Sequence, residues 1–485
     1  MYNIQIYKQA FKQFLIFCLW IALARASKGL ILPLMTMLGV VWAFNGKFGK
    51  AYSIYAMLLM MIAINPNILP KNGFMFSLGL RFGPLIIGLA LVMRSMTITR
   101  KQALPLGVML AYLVVAVVSS INGWSPMVSY LKLINFTVFF FGIWLGSKGL
   151  QLDEDGVSTL RATLLAIATF LIAGSAALWP FPGISTLNSL KLAQEVGDVA
   201  MRNEIIREMI DGGGMTLFCG VTAQSQALSP LLACAFAWVV CDLLFVEGMF
   251  RWPHIALLIL ALPLLYLTRS RVALLGLVVT LVIVYFYLPR KIQLGNKMKQ
   301  WLKHILFIGG LMLIAIVVVA EMKDNAISRW VRKTDDVKAD QRSLSEAFTA
   351  SRQGLVDMCM DDFYRNPFFG MGFQVAEYTA RVAATNDGLI LSSPIEKGVI
   401  PIMILGETGV VGVVVFAIFL LSFYLGCIKR HLYISVMMMA VLFSLNLGEA
   451  TFFSPGGLGG PQWLLCVVGG YVLDLTIMFR KRKYE

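Results

Sequence analysis

Charge is scarce in this chain. Lys, Arg, Asp and Glu supply 14% of its 485 residues, where a soluble domain carries roughly 25%. That shortage excludes an ordinary water-soluble enzyme. Histidine is scarcer still, with only His254, His304 and His431. No HExxH pair, Ser-His-Asp set or paired-aspartate metal site can be assembled, so the expected chemistry is metal-free and without a cofactor. The seven cysteines (Cys18, Cys219, Cys234, Cys241, Cys359, Cys427, Cys466) form no CxxC and lie mostly in apolar runs. Neither a zinc site nor a disulfide framework is indicated. Low-complexity sequence is absent. So is the pair of matching Gly/Pro-broken helices that marks many secondary transporters.

What the chain has instead is apolar length. It is 58% hydrophobic, with a mean hydropathy of +0.77. Apolar runs of about 18 residues recur from end to end, each enough to cross a hydrocarbon core of roughly 30 Å. The runs are continuous rather than alternating, which excludes a β-barrel. The expected fold is an all-α polytopic membrane protein with about fourteen transmembrane helices. The spans fall at 11–25, 29–46, 50–64, 76–94, 103–121, 129–147, 159–178, 227–246, 253–268, 271–288, 304–320, 401–426, 432–449 and 461–478. Lys8 and Lys12 precede the apolar stretch 14–23, and Ala24-Arg25-Ala26 resembles a signal-peptidase site; the segment reads as an uncleaved first span.

The net charge of +15 sits largely in short loops, as expected of cytoplasmic loops rather than of a nucleic-acid binder. With Arg480, Lys481, Arg482 and Lys483 in the cytoplasm, counting back places Lys429-Arg430, Arg290-Lys291, Arg94, Arg100, Lys101, Lys47 and Lys50 on the same side. Both termini are then cytoplasmic. The expected organisation is an N-terminal helical region (1–178), a periplasmic loop (179–226) and a second helical region (227–320). A large periplasmic loop (321–400) and C-terminal helices with a basic tail (401–485) follow. If the source is a Gram-negative bacterium, these long loops face the periplasm and the expected compartment is its inner membrane, crossed many times.

The loop 321–400 carries nearly half of the acidic residues. Residues 343–365 can place Leu344, Phe348, Leu355, Met358, Cys359 and Phe363 on one face, which predicts a helix lying over the membrane surface. Pro367 stops it, and Gly370 and Gly372 predict a tight turn. In the loop 179–226, residues 187–210 predict a second surface helix, ended by Gly212-Gly213-Gly214. Gln224, Ser225 and Gln226 then stand at the entrance of the next span, as helix caps or as contacts to a polar ligand.

Two arginines break the positive-inside trend. Thr268-Arg269-Ser270-Arg271 joins two apolar runs on the non-cytoplasmic side. Arginine at a membrane boundary is costly unless it snorkels or meets an anion, and its planar fork suits phosphate oxygens. A lipid-headgroup contact, a structural ion pair or a pyrophosphate clamp fits; Arg352 and Arg365 are further candidates for such a clamp, and Arg365 equally suits a helix C-terminal cap. In Ser393-Pro394-Ile395-Glu396-Lys397-Gly398, Glu396 suits a base accepting a proton from a sugar hydroxyl, or an interfacial anchor with Lys397. Glu407, two turns into an apolar run, is a functional carboxylate or a helix-packing one.

These elements resemble a known family. Thr268-Arg269-Ser270-Arg271, followed by Val272-Ala273-Leu274-Leu275-Gly276, resembles the SRGA element of the O-antigen ligase and polymerase superfamily. Ser351-Arg352 resembles its second arginine element. Asn366-Pro367-Phe368-Phe369-Gly370-Met371-Gly372-Phe373 is similar to its NPLFGxGxG element, and Glu407-Thr408-Gly409-Val410-Val411-Gly412 to its closing ExGxxG. Phe218-Cys219-Gly220 with Gln224-Ser225-Gln226 is similar to a weaker upstream element. The likeness covers roughly 215–415.

The resemblance implies a GT-C-like helical fold and a metal-independent, inverting glycosyltransferase. Its substrate would be an undecaprenyl-diphosphate-linked oligosaccharide. Arg271 and Arg352 would neutralise the departing diphosphate, with Glu396 as the base. Arg269, Arg365, Lys397, Gln224, Gln226 and Glu407 are the substrate-contact candidates. Expected partners are that lipid-linked glycan and membrane lipid, with a chain-length regulator left open and no nucleic acid. One departure stands out: ligases of this family carry a histidine in HNxxL, and Ser392-Ser393-Pro394-Ile395-Glu396-Lys397-Gly398 has none. That favours a polymerase of O-antigen, capsule or exopolysaccharide over a typical ligase. Transfer to another acceptor, a lipid-linked oligosaccharide flippase and a non-catalytic scaffold are the competing readings.

Overall fold

The structure is a computed structural model that describes residues 2–71, 73–95, 100–185, 218–247, 251–268, 270–287, 353–377, 399–448 and 451–484. Its helices in order are α1 (Tyr2–Ala26), α2 (Ile31–Phe44), α3 (Phe48–Ala63), α4 (Phe74–Arg94), α5 (Arg100–Ile121), α6 (Pro126–Trp144), α7 (Glu154–Thr169), α8 (Ser225–Cys241), α9 (Trp252–Leu267), α10 (Arg271–Phe286), α11 (Gln353–Arg365), α12 (Ile400–Lys429), α13 (Tyr433–Leu445) and α14 (Gly469–Tyr484). Among the described residues there is no β-strand, and the chain is an all-α polytopic membrane protein.

Backbone polar groups have no water to bond in a bilayer, so apolar runs of this length must become helices. Among the described residues, eight helical segments are long and apolar enough to cross a membrane, and five more apolar helices are shorter. Thirteen of the fourteen expected spans coincide with one of these helices; the span 304–320 lies outside the described residues. So do the expected helix 187–210 and residues 343–352 of the expected surface helix. The rest of that surface helix is α11, which ends at Arg365 ahead of Pro367 as its sequence predicts.

α3 and α8 run through the middle, with nearly every side chain buried. α1 and α3 pack on α7, α2 on α4, α5 on α12, and α10 on α8 and α13. α11 lies against α12. Lys47 and Lys50, Arg94, Lys148, Lys429 and Arg430, and Arg480 gather at one end of the bundle. Gly49 there donates to Asp153 Oδ2 (2.9 Å), Ser95 Oγ to the Gly146 carbonyl (3.0 Å) and Arg480 to the Val246 carbonyl. The opposite end holds Gln224, Arg271 and the turn 366–373.

Near the basic end, a charged set is closed off from solvent. After α8 the chain adopts a π turn (Asp242–Glu247), which aims Asp242 inward. Asp242 Oδ1 lies 2.7 Å from Arg161 Nε, and Oδ2 lies 2.9 Å from His254 Nε2. The Tyr7 hydroxyl meets His254 Nδ1 at 2.9 Å. With Nε2–H donating to the carboxylate and the Tyr7 hydroxyl donating to Nδ1, one chain of bonds ties α1, α7, α8 and α9 together. Removing one partner of such a pair strands the other charge, at a cost of about 3–5 kcal/mol. Asp242→Ala is therefore expected to lower the thermal midpoint of the detergent-solubilised protein sharply. An unchanged midpoint would show that these four residues carry no such weight.

Candidate active site

The turn 366–373 is locked into a break in α12. α12 reads as one unbroken apolar run, but Gly409 inside it has φ 64° and ψ −168°. The helix therefore opens for one residue, and the turn supplies the missing partners. Met371 N donates to the Gly406 carbonyl (2.9 Å) and Gly372 N to the Glu407 carbonyl (3.1 Å). In return Val410 N donates to the Pro367 carbonyl (2.9 Å) and Val411 N to the Phe368 carbonyl (3.3 Å). The exchange resembles strand pairing, and it depends on close backbone approach. A Cβ on Gly409 would sit 2.3 Å from the Phe368 carbonyl, and one on Gly370 (φ 68°) would sit 2.4 Å from the Glu407 carbonyl carbon.

The hairpin between α5 and α6 braces this lock. Ser119 Oγ donates to the Glu407 carbonyl and accepts from Gly372 N at 3.0 Å. Ser120 Oγ accepts from Phe373 N (3.4 Å) and pairs with Ser129 Oγ (2.6 Å), whose hydroxyl reaches the Phe373 carbonyl (2.8 Å). Trp124 N donates to the Met371 carbonyl (3.1 Å), while its indole N–H donates to Asp362 Oδ1 (2.7 Å) on α11. Gln374 takes a left-handed conformation, φ 52°, unusual for a residue with a side chain. Its amide donates to the Phe453 carbonyl at 2.6 Å, so the turn is also tied to the segment before α14.

The sequence-derived candidates divide into three groups. Arg269, Arg352, Glu396 and Lys397 lie outside the described residues, as does the side chain of Gln226. Arg271 and Gln224 stand at the same end of the bundle as the turn 366–373. Arg271 is the first residue of α10, half-buried, behind the N-cap Ser270 whose hydroxyl accepts from Ala273 N. Val272, next to it, packs on Gly448, where a Cβ would meet its Cγ2 at 2.3 Å. Two residues before Gly448, the Asn446 carbonyl accepts from Ile400 N (3.2 Å). Arg271 is thus linked to the start of α12, two turns from the lock. Gln224 occupies the N-cap position of α8 without a side-chain cap; its carbonyl instead accepts from Leu228 N (3.0 Å). Cap formation therefore does not account for its amide.

Arg365 and Glu407 have structural partners. The Arg365 guanidinium lies 4.6 Å from the Trp124 ring centroid and 3.8 Å from Glu377 Oε2, with its side chain 53% exposed. Glu407 is wholly buried, and its carbonyl forms the bonds that hold Gly372 and Ser119. Near this end, burial pushes the Lys71 ammonium down to about 8, and it donates to the Ile62 carbonyl. Among the described residues no cluster of His, Cys, Asp and Glu has the makings of a metal site.

One site residue went unnoticed in the sequence. Lys132 lies inside α6, 2% exposed, with Nζ 3.2 Å from the Gln374 carbonyl. The signal was there: it is the single charge in an apolar run, and an ionisable residue inside a span is functional until shown otherwise. The serines 119, 120 and 129 gave no such signal.

Residues 256–417 match the family model described as O-antigen ligase. This stretch is similar to the O-antigen ligase family. It runs from α9 to the middle of α12 and includes Arg271, the turn 366–373 and the break at Gly409. The matched region is shorter than the 215–415 expected, so the upstream element around Gly220 and Gln224 falls outside it. No curated protein matches the chain. The family indicates a membrane activity of the O-antigen ligase or polymerase type, and an enzyme in that general sense.

Proposed function

We propose that the protein is a glycosyltransferase that polymerises undecaprenyl-diphosphate-linked oligosaccharide repeat units at the motif end of the bundle. On this reading an acceptor hydroxyl attacks the reducing-end sugar carbon, with inversion. The bond to the lipid diphosphate breaks, and the diphosphate carries away the electron pair. Glu396 takes the hydroxyl proton, and Arg271 and Arg352 neutralise the leaving group, which lowers the barrier because charge grows there in the transition state. The observation that carries the reading is the lock between the turn 366–373 and the broken α12. It fixes the start of α12, and through Asn446 and Gly448 the Arg271 end of α10, into one rigid frame. Preorganised cations need such a frame.

The missing HNxxL histidine favours chain extension over ligation to a core acceptor. In cells lacking the gene, the lipid-linked glycans distinguish the readings. Accumulation of single repeats on the outer face is the expected result. Long lipid-linked chains that reach no acceptor would identify a ligase. Single repeats held on the inner face would identify a flippase and overturn the proposal.

A further inference from the structure

The basic end of the bundle holds a cleft that the transfer reaction does not use. It is a shallow cleft, open to the surface, between α6, α12, α13 and α14, and is lined by Trp144, Ser147, Lys148, Arg430, Ser435 and Tyr471, among others. It is remote from the lock. Gly409 and Arg430 are at opposite ends of one helical stretch, and at 1.5 Å per residue that is about 30 Å, a bilayer core's thickness.

Two cations line this cleft, and among the described residues neither has an acidic partner. Lys148 and Arg430 are half-buried and line the same cleft. Lys148 Nζ lies over the Tyr471 ring at 4.5 Å, and Arg430 Nε donates to the Gly426 carbonyl of its own helix at 3.2 Å. The carboxylate nearby, Asp474, is turned away to cap α13. It accepts from Ile434 N (3.1 Å), Ser435 N (2.8 Å) and Ser435 Oγ (2.7 Å). Tyr471 Oη accepts from the Gln151 amide, which leaves its own O–H to donate. Like charges held together in a low-dielectric wall are unfavourable unless an anion joins them. Arg and Lys lining a gap between membrane helices suit phosphate oxygens, Arg as a fork and Lys as a point charge.

We infer that Lys148, Arg430 and Tyr471 form an anion site at the basic end of the bundle, which binds a phosphate-bearing group. The group comes either from an anionic lipid headgroup or from a soluble phosphate compound. The inference is independent of the reaction assigned to the opposite end.

The test is thermal unfolding of the full-length protein in neutral detergent. One arm titrates phosphatidylglycerol against phosphatidylcholine, and the other inorganic phosphate against sodium chloride at equal ionic strength. A saturable rise in midpoint of about 2 °C or more is expected in one arm. The lipid arm alone would identify a headgroup, and the phosphate arm a soluble ligand. Lys148→Met and Arg430→Met are each expected to abolish the rise. Without added anion, both variants should unfold at or above the wild-type midpoint, because each removes the repulsion. No saturable rise for the wild type in either arm would overturn the inference, whether or not the variants fold. So would an equal rise in both variants.

Discussion

Arg271→Ala is expected to abolish chain extension while the protein remains folded. Arg271 opens the sixteen-residue helix α10, where the unpaired N–H groups of the first turn add partial positive charge. On the proposed reading, a leaving diphosphate at this point would meet the guanidinium and the helix end together. Removing one preorganised donor aimed at developing charge costs about 100-fold to 1,000-fold in rate. Extension of a synthetic lipid-diphosphate-linked repeat in proteoliposomes should fall at least that far. Arg271→Lys keeps the charge but loses the planar fork, so it should recover only part of the rate. Yield and elution volume monitor folding, since Ser270 caps α10 without help from the Arg271 side chain. Normal extension by well-folded Arg271→Ala would remove the arginine from the mechanism and leave the polymerase proposal without its central group.

How much of this was legible in the sequence depended on which physical rule governed each feature. The helices were legible because a bilayer requires long apolar segments, and thirteen of them fell where the runs predicted. The turn at Gly370 and Gly372 was legible from glycine spacing and Pro367. Both glycines have positive φ, 68° and 106°. What receives that turn was hidden. Residues 401–426 are apolar apart from Glu407, Thr408 and Ser422, and hydropathy does not register one residue of broken helix. Gly409 showed as part of a spacing pattern, not as an opening in the backbone. The Tyr7–His254–Asp242–Arg161 chain was hidden for another reason: Tyr7 and His254 are 247 residues apart, and only tertiary packing brings them together. His254 has a structural task near the basic end, away from the turn 366–373. Arg430 appeared as one more positive-inside charge, and Lys148 was not singled out. Only the turning away of Asp474 distinguishes them from solvated loop residues.

Gly409→Ala is the substitution expected to damage the fold most for its size. With φ near +60° and ψ near 180°, Gly409 occupies a region that residues with a Cβ almost never enter. That conformation alone costs an alanine about 1–3 kcal/mol. The added Cβ would also sit 2.3 Å from the Phe368 carbonyl carbon and oxygen, which are backbone atoms that cannot swing aside. Relief requires the turn to lift off α12, breaking the bonds from Met371, Gly372, Val410 and Val411 together. The total cost is then about 3 kcal/mol or more, read as a lower thermal midpoint and a poorly eluting protein. Gly426→Ala in the same helix is the control. Its Cβ would meet only Pro105 Cγ, at an ordinary 3.7 Å, and alanine is favoured over glycine inside a helix by about 1 kcal/mol. Gly426→Ala should therefore match or exceed the wild-type midpoint. If both alanine variants unfold together at the wild-type temperature, the turn is not locked into the helix, and the frame that holds Arg271 loses its support.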